Sequence, residues 1–384
     1  MSRALRARAE STPDGRKDGR MTADDIAATV ARALELAPVV DGHNDWPWEL
    51  RLRHGSSVAG LESGFPGHTD FARLRAGRVG AQLWSVFVED LPPGSEGRNE
   101  RAVAETLEQI DVVHRLVEAY PQHLVLARSA ADVEAARATG RIASLLGAEG
   151  GHQIDESPGV LRMLAALGVR YLTLTHNRTT TWADSATDAP HHGGLSDRGR
   201  AFVRELNRLG VLVDLSHVAP ATMHAALDVA TAPVLFSHSS VRALNDHPRN
   251  VPDDVLARLG DNGGVVMITF VPQFLSDSYR RWDLAGRQGP APRVPLALLA
   301  DHVEHARDVA GVGHIGLGGD FDGVDAMPEG ITGVDGYPAL LAELAGRGWS
   351  AADLAGLAGA NVLRVLRETD DAFAGNRPPT ELVI

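Results

Sequence analysis

The chain has 384 residues, 44% of them hydrophobic, a formal net charge of −13 and no cysteine. Length and composition suit one large barrel or two ordinary domains, and the lack of thiols excludes disulfides and leaves any metal to His and carboxylate ligands. No apolar run approaches the ~18 residues of a membrane span, and no secretory leader or lipid-anchor signal is read at the ends, so a soluble, cytoplasmic protein is expected.

The first twenty residues, "MSRALRARAESTPDGRKDGR", hold six basic and three acidic side chains, which leaves −16 on the rest. Residues 1–20 read as a disordered N-terminal extension, and residues 21–384 as a single catalytic domain. A body this acidic repels nucleic acid and anionic membrane.

Eight apolar runs rich in β-formers follow in order. They are "APVVDGHND" (37–45), "VGAQLWSVFV" (79–88), "IASLLGAEG" (142–150) and "VRYLTLTHN" (169–177), then "GVLVDLSHV" (210–218), "APVLFSHSS" (232–240), "GGVVMITF" (263–270) and "HIGLGGDFDG" (314–323). Helical spacing appears between them at 101–119, 158–167, 196–209, 219–230, 252–260 and 295–310, and a last helical stretch covers about 337–368. Continuous apolar strands alternating with amphipathic helices predict a parallel sheet covered by helices. Eight of them predict an α/β fold of the (β/α)8 TIM-barrel type, with a two-domain α/β protein as the alternative. The stretch 46–78 is longer than a simple βα unit needs, and the segments 177–195 and 271–294 read as long loops at the rim of the barrel.

The strand ends carry the chemistry. The first delivers His43 and Asp45, the third Glu149, the fourth His176, the fifth His217, the sixth His238 and the eighth Asp320 and Asp322. Singly, such residues are most often helix caps, satisfied core histidines or rim charges. In a barrel, however, all these ends converge on one face, and buried carboxylates gathered there need positive charge among them. On a strand, residues i and i+2 share a face, so His43 and Asp45 can reach one ion while Asn44 points away. Asp41 shares their parity one step deeper, either orienting His43 or serving as a buried structural carboxylate. His217 and His238 form a second half-site, and Glu149 has two oxygens with which to bridge. Nitrogen and oxygen ligands without thiolate suit zinc, with manganese or iron as alternatives.

These residues sit in motifs that resemble the membrane (renal) dipeptidases, peptidase family M19 of the amidohydrolase superfamily. "DGHND", "GAEGGHQI", "RYLTLTHN" with "WADS", "DLSHV", "FSHSS", "HPRNVPDD" and "GLGGDFDG" occur in the family's order, from about residue 37 to 367. The resemblance implies a zinc dipeptidase with two Zn2+ per subunit, bridged by Glu149 and a hydroxide and held further by His43, Asp45, His217 and His238. It assigns substrate contact to His176, the clamp on the substrate carboxylate to Arg249 and the catalytic carboxylate to Asp320. It implies dipeptide substrates, including L-Xaa-D-Xaa dipeptides with a free C-terminus, and is compatible with a homodimer. The chain departs from the pattern at "LTHNRTT" and at Val271, where some relatives carry an aromatic; both positions are expected to line the pocket.

Several residues carry rival readings. Arg249 could instead cap or pair with the helix opening at "VPDD", and Arg242 is a second carboxylate binder on the same loop. Asp322 reads as a turn stabiliser, and His191, His192, His302 and His305 as solvent-exposed. Gly318 and Gly319 suggest close backbone approach, since the Lys–Ser/Thr of a phosphate loop does not follow. At the level of function, a sister amidohydrolase acting on another amide, lactone or β-lactam would keep the metals without needing Arg249. A silent binding barrel would not need the full ligand set with Asp320.

Overall fold

The computed structural model describes residues 21–92, 95, 98–374 and 382, so the expected extension 1–20 lies outside the described residues. Nine strands occur: β1 (Val39–Asn44), β2 (Val79–Ser85), β3 (Leu124–Leu126), β4 (Ile142–Glu149), β5 (Val169–Thr173), β6 (Leu212–Asp214), β7 (Leu235–Ser239), β8 (Val265–Ile268) and β9 (Ile315–Leu317). All pairings are parallel. The order β2-β1-β9-β8-β7-β6-β5-β4, with β2 also paired to β4, closes an eight-stranded barrel. This is the TIM barrel expected from the eight apolar runs.

β3 is the ninth strand and was not expected. It pairs with Ile142–Ser144 of β4, the end of β4 that precedes its pairing with β5. Three residues supported by one neighbour leave too little apolar sequence to register as a strand.

The helices between strands match the spacing well where their ends carry caps. The helices Pro158–Leu167 and Asp197–Leu209 open on Ser157 and Ser196, whose side chains accept backbone N–H groups in the first turn. Several segments differ from expectation, the helix Ala130–Ala138 and the division of 252–260 into Asp253–Leu256 and Leu259–Asn262 among them. The stretch 46–78 contains the helices Trp46–His54 and Phe71–Ala76, and 271–294 contains Pro272–Leu275 and Asp277–Leu284, so the latter is not a plain loop. The final helical stretch divides into Tyr337–Gly346, Ala351–Ala355, a π-helical turn Gly356–Ala360 and Asn361–Ala374. The helix Ala23–Leu36 packs against the first two of these. No described helix is long and apolar enough to cross a membrane.

Two apolar layers result. Val40, Leu83, Leu145, Leu212, Leu235, Val265 and Met267 contribute to a cluster that also takes in Tyr171, while a larger cluster joins the sheet to the surrounding helices. Every strand residue except Gly80, Val125 and Leu126 is buried. That explains the continuous apolar runs and places any polar strand-end side chain in a low-dielectric setting.

Candidate metal centre

His43, Asp45, Glu149, His217, His238 and Asp320 converge at the C-terminal ends of the strands. Three overlapping groups have ligand atoms within 4.8 Å of one another: His43–Asp45–Glu149, Glu149–His217–His238 and His43–His238–Asp320. All six residues are buried.

Glu149 joins the halves. Its Oε2 lies 3.4 Å from His43 Nε2, and its Oε1 lies 3.0 Å from His217 Nε2 and 3.3 Å from His238 Nε2. His43 Nε2 is also 3.2 Å from Asp45 Oδ2 and 4.0 Å from Asp320 Oδ1. One carboxylate therefore turns one oxygen to each half-site, the arrangement of a bridging ligand.

Local structure explains how β1 delivers its pair. The register of β1 against β2 slips between Asp41 and Asn44, and Asp45 leaves the strand at φ −99° and ψ 21° to stand before the helix Trp46–His54. In that cap position its side chain makes no capping bond, which frees the carboxylate for the cup. Asn44 turns away, donating to Thr69 Oγ1 and accepting from the Trp46 N–H. Asp41 does not reach the His43 ring. Its Oδ1 accepts the backbone N–H groups of His43 and Gly319, pinning β1 to the loop that carries Asp320. Of its two readings, the buried structural carboxylate is the one observed. The ring is oriented instead by the Tyr171 hydroxyl, 2.7 Å from Nδ1. Tyr171 lies across Gly147, where any Cβ would collide with the phenol ring. Gly323 has the same role beside the cup, since a Cβ there would strike Asp45 and Asp320.

The electrostatics ask for a cation. Burial opposes charge on Glu149, but His43, His217 and His238 outweigh it and hold the carboxyl well below its usual range. Burial likewise opposes charge on His43, yet Tyr171, Glu149 and Asp45 raise it well above an ordinary imidazole. A field that favours a proton on a buried imidazole also attracts a metal ion. Burial pushes His217 and His238 well down, which keeps their lone pairs available, and pushes Asp320 well up. His43 Nε2 and Asp45 Oδ1 are buried without a hydrogen-bond partner among the described residues. Orphaned ligand atoms together with imidazole and carboxylate chemistry fit a bound metal ion.

A cavity of about 350 Å³ opens over the cup, a volume suited to a small ligand. His176 lines it, its ring 4.4 Å from that of His217, with burial lowering its pKa to about 4. Arg249 lines it as well and is 4% exposed. Its Nη2 reaches the His238 carbonyl at 3.4 Å, Nη1 has no partner among the described residues, and the Phe274 ring lies 5.2 Å from the guanidinium carbon. Burial brings its pKa to about 10, so it stays charged at neutral pH. Among the described residues Arg249 makes no pairing with the helix at "VPDD".

Other expected residues fall elsewhere. Arg242 binds the Pro248 carbonyl and does not line the cavity. Asp322 accepts the His68 N–H at 2.6 Å, holding two loops together. His302 is a correction: it is fully buried, with Nε2 on the Leu275 carbonyl and Nδ1 facing the Val241 N–H. His192 and His305 are half-buried, bonded to the Thr180 carbonyl and to Asp253, and only His191 is exposed. Asn177 of "LTHNRTT" lines the cavity as expected, but Val271 is buried away from it, and the aromatic there is Phe274. Sequence reasoning also missed Trp48 and Phe87, which meet edge-on at 4.9 Å and form an aromatic wall.

The sequence model of the membrane dipeptidases (peptidase family M19) matches residues 27–378. An uncharacterized dipeptidase of Schizosaccharomyces pombe is 45% identical over 357 residues, covering 90% of this chain and 84% of its own length. A metallo peptidase from Rhodobacter sphaeroides, solved with a phosphinate mimic of the dipeptide L-Ala-D-Ala, superposes with a TM-score of 0.76 at 26% identity, covering 87% of this chain and 99% of that one. The probable dipeptidase PvdM from Pseudomonas aeruginosa has a TM-score of 0.83 at 23% identity, covering 91% and 100%, a likeness of fold.

Proposed function

The chain belongs to the membrane dipeptidase family and is a metal-dependent dipeptidase, and from that premise we propose that it uses two zinc ions to hydrolyse dipeptides with a free C-terminal carboxylate, L-Xaa-D-Xaa among them. The observation that carries this reading is the division of Glu149, one oxygen toward His43 and the other toward His217 and His238.

His43 and Asp45 would hold one ion, His217 and His238 the other, and Glu149 both. Ions bound there would polarise the scissile carbonyl and supply a water acidic enough to attack at neutral pH. The rest falls to the chain. Arg249 offers its free Nη1 edge to the substrate carboxylate, and burial strengthens that pairing by removing competing water. Trp48 and Phe87 close one side of the cavity against solvent. Asp320, ionised beside bound cations, accepts a proton from the attacking water and returns it to the leaving amine. His176 is neutral near pH 7, so it donates one N–H toward the negative charge developing on the carbonyl oxygen without bringing a full charge. The mimic of L-Ala-D-Ala bound by the Rhodobacter sphaeroides relative supports L,D dipeptides as substrates.

Zinc-loaded protein is assayed against L-Xaa-L-Xaa and L-Xaa-D-Xaa libraries, with bound metal measured in parallel. Turnover in the L,D library with two equivalents of zinc is expected. No turnover in either library would sink the substrate assignment, and one equivalent or less would sink the two-ion site.

A further inference from the structure

Beneath the histidines lies a second layer of buried polar groups. Asp214 ends β6, is fully buried and accepts four hydrogen bonds. Its Oδ1 takes the backbone N–H groups of Ser216 (3.2 Å) and Ser237 (2.8 Å). Its Oδ2 takes the hydroxyls of Thr173 (2.6 Å) and Ser237 (2.7 Å). The Ser237 oxygen in turn stands 2.9 Å from His238 Nδ1.

A serine hydroxyl carries one proton. The carboxylate at 2.7 Å is a far better acceptor for it than Ser216 Oγ at 3.5 Å. With its proton committed downward, Ser237 can only accept from the imidazole. His238 must then carry its proton on Nδ1, which leaves the Nε2 lone pair facing Glu149 and the cup.

We propose that Asp214 and Ser237 are positioning residues for the metal centre, a relay that fixes the tautomer of His238 so that Nε2 is the ligand atom. The inference rests on His238 being a ligand, as argued above. Outer partners of this kind commonly change metal affinity by about 10–100-fold. His217 Nδ1 has no such partner among the described residues, so the effect should fall on the ion that His238 holds.

The test turns on proton direction. In Asp214→Asn the two backbone N–H groups still require an acceptor at Oδ1, so the amide nitrogen takes the place of Oδ2 and donates to Ser237. The hydroxyl then aims its proton at His238 Nδ1 and drives the imidazole to the tautomer that blocks Nε2. Ser237→Ala removes both the support and this misdirected proton. Metal-free proteins are titrated with Zn2+ against a chromophoric chelator, and their melting temperatures are recorded. The expected order is one equivalent weakened about tenfold in Ser237→Ala and about 100-fold in Asp214→Asn. The double variant should return to the Ser237→Ala value. A purely structural Asp214 would leave the double variant at least as weak as Asp214→Asn, and that result overturns the proposal. Should Asp214→Asn not fold, wild-type affinity in Ser237→Ala overturns it alone. A wild-type protein that binds only one equivalent would remove the two-ion reading, while the order of the variants would still decide the relay.

Discussion

Arg249→Met removes the cation from the cavity while keeping chain length and an apolar surface for Phe274. Nη1 is buried and unpartnered, and Nη2 is shared with the His238 carbonyl at 3.4 Å, so an incoming carboxylate gains one full charged hydrogen bond and one shared. At about 1.5–3 kcal/mol for a hydrogen bond to a charged group, the pair contributes roughly 3–4 kcal/mol. At ~1.4 kcal/mol per decade, kcat/KM should fall by about 10²–10³. A second effect must be separated from this one. Arg249 also lowers the pKa of Asp320, so its loss disturbs the proposed proton acceptor whatever the substrate. The assay therefore compares a dipeptide with its C-terminal amide, which feels the disturbance at Asp320 but never used the clamp. The ratio of the two kcat/KM values isolates the carboxylate contact, and it should collapse toward one in Arg249→Met with the metal content unchanged. A ratio that stays at its wild-type value, or a variant that loses its metal, would refute the assignment.

Asp320→Asn should keep both ions, because His43, Asp45, Glu149, His217 and His238 remain, yet lose most turnover; loss of an ion by elemental analysis would make Asp320 a ligand. Chelation at neutral pH should abolish activity and lower the melting temperature, since a ligand held at 100 times its Kd stabilises by about 2.7 kcal/mol; an unchanged melting curve would argue against a bound resident ion. His302, pushed down to about 4 by burial, should make stability fall with acid. The unfolded chain takes up this proton near pH 6.5 and the folded one only near pH 4, so about 3 kcal/mol present above pH 6.5 is lost on descending to 4. Urea titrations of His302→Gln should show a shallower slope across that window, and equal slopes would refute the buried-neutral state.

The barrel was legible because strands buried on both faces cannot avoid continuous apolar sequence. What escaped reading had weak or competing signals. β3 has three residues and one neighbour. The helix Ala23–Leu36 carried a usable mark, Thr22 and Asp25 in a reciprocal cap, but it stands before the first strand, where alternation gives no frame. The helices Pro272–Leu275 and Asp277–Leu284 are short and polar enough to pass for loop. The site follows the same division. Titratable groups at strand ends are conspicuous, so His43, Asp45, Glu149, His217, His238 and Asp320 could be gathered in advance. Ser237 and Tyr171 could not, because a serine or tyrosine inside a strand announces no partner, and Asp214, though a carboxylate at a strand end, gets its role only from the 2.6 and 2.7 Å contacts to Thr173 and Ser237 made when β5, β6 and β7 lie side by side. The same limit explains Asp41, whose parity with His43 was legible while its bonds to the backbone N–H groups of His43 and Gly319 were not.

Two of the converging residues also hold the backbone in the left-handed region, His217 at φ 68° and Asp320 at φ 59°. Each such position costs of order 1–3 kcal/mol for a residue with a side chain, and glycine would relieve it. Glycine would also delete the imidazole from one side of Glu149 and the carboxylate from the other side of the cup. The strain therefore falls where a strand must stop and its next side chain must turn back over the barrel axis. Neighbouring bonds hold the turns in place: the His217 carbonyl accepts the Ala186 N–H at 2.8 Å, and the Asp320 N–H reaches the His43 carbonyl at 3.2 Å. The barrel absorbs this strain together with the burial of Asp45, Glu149 and Asp320, and among the described residues Arg249 is the arginine that lines the cavity beside them. Three buried carboxylates in one cup suit a metal ion, and two of the side chains gathered there stand on strained backbone at the strand ends.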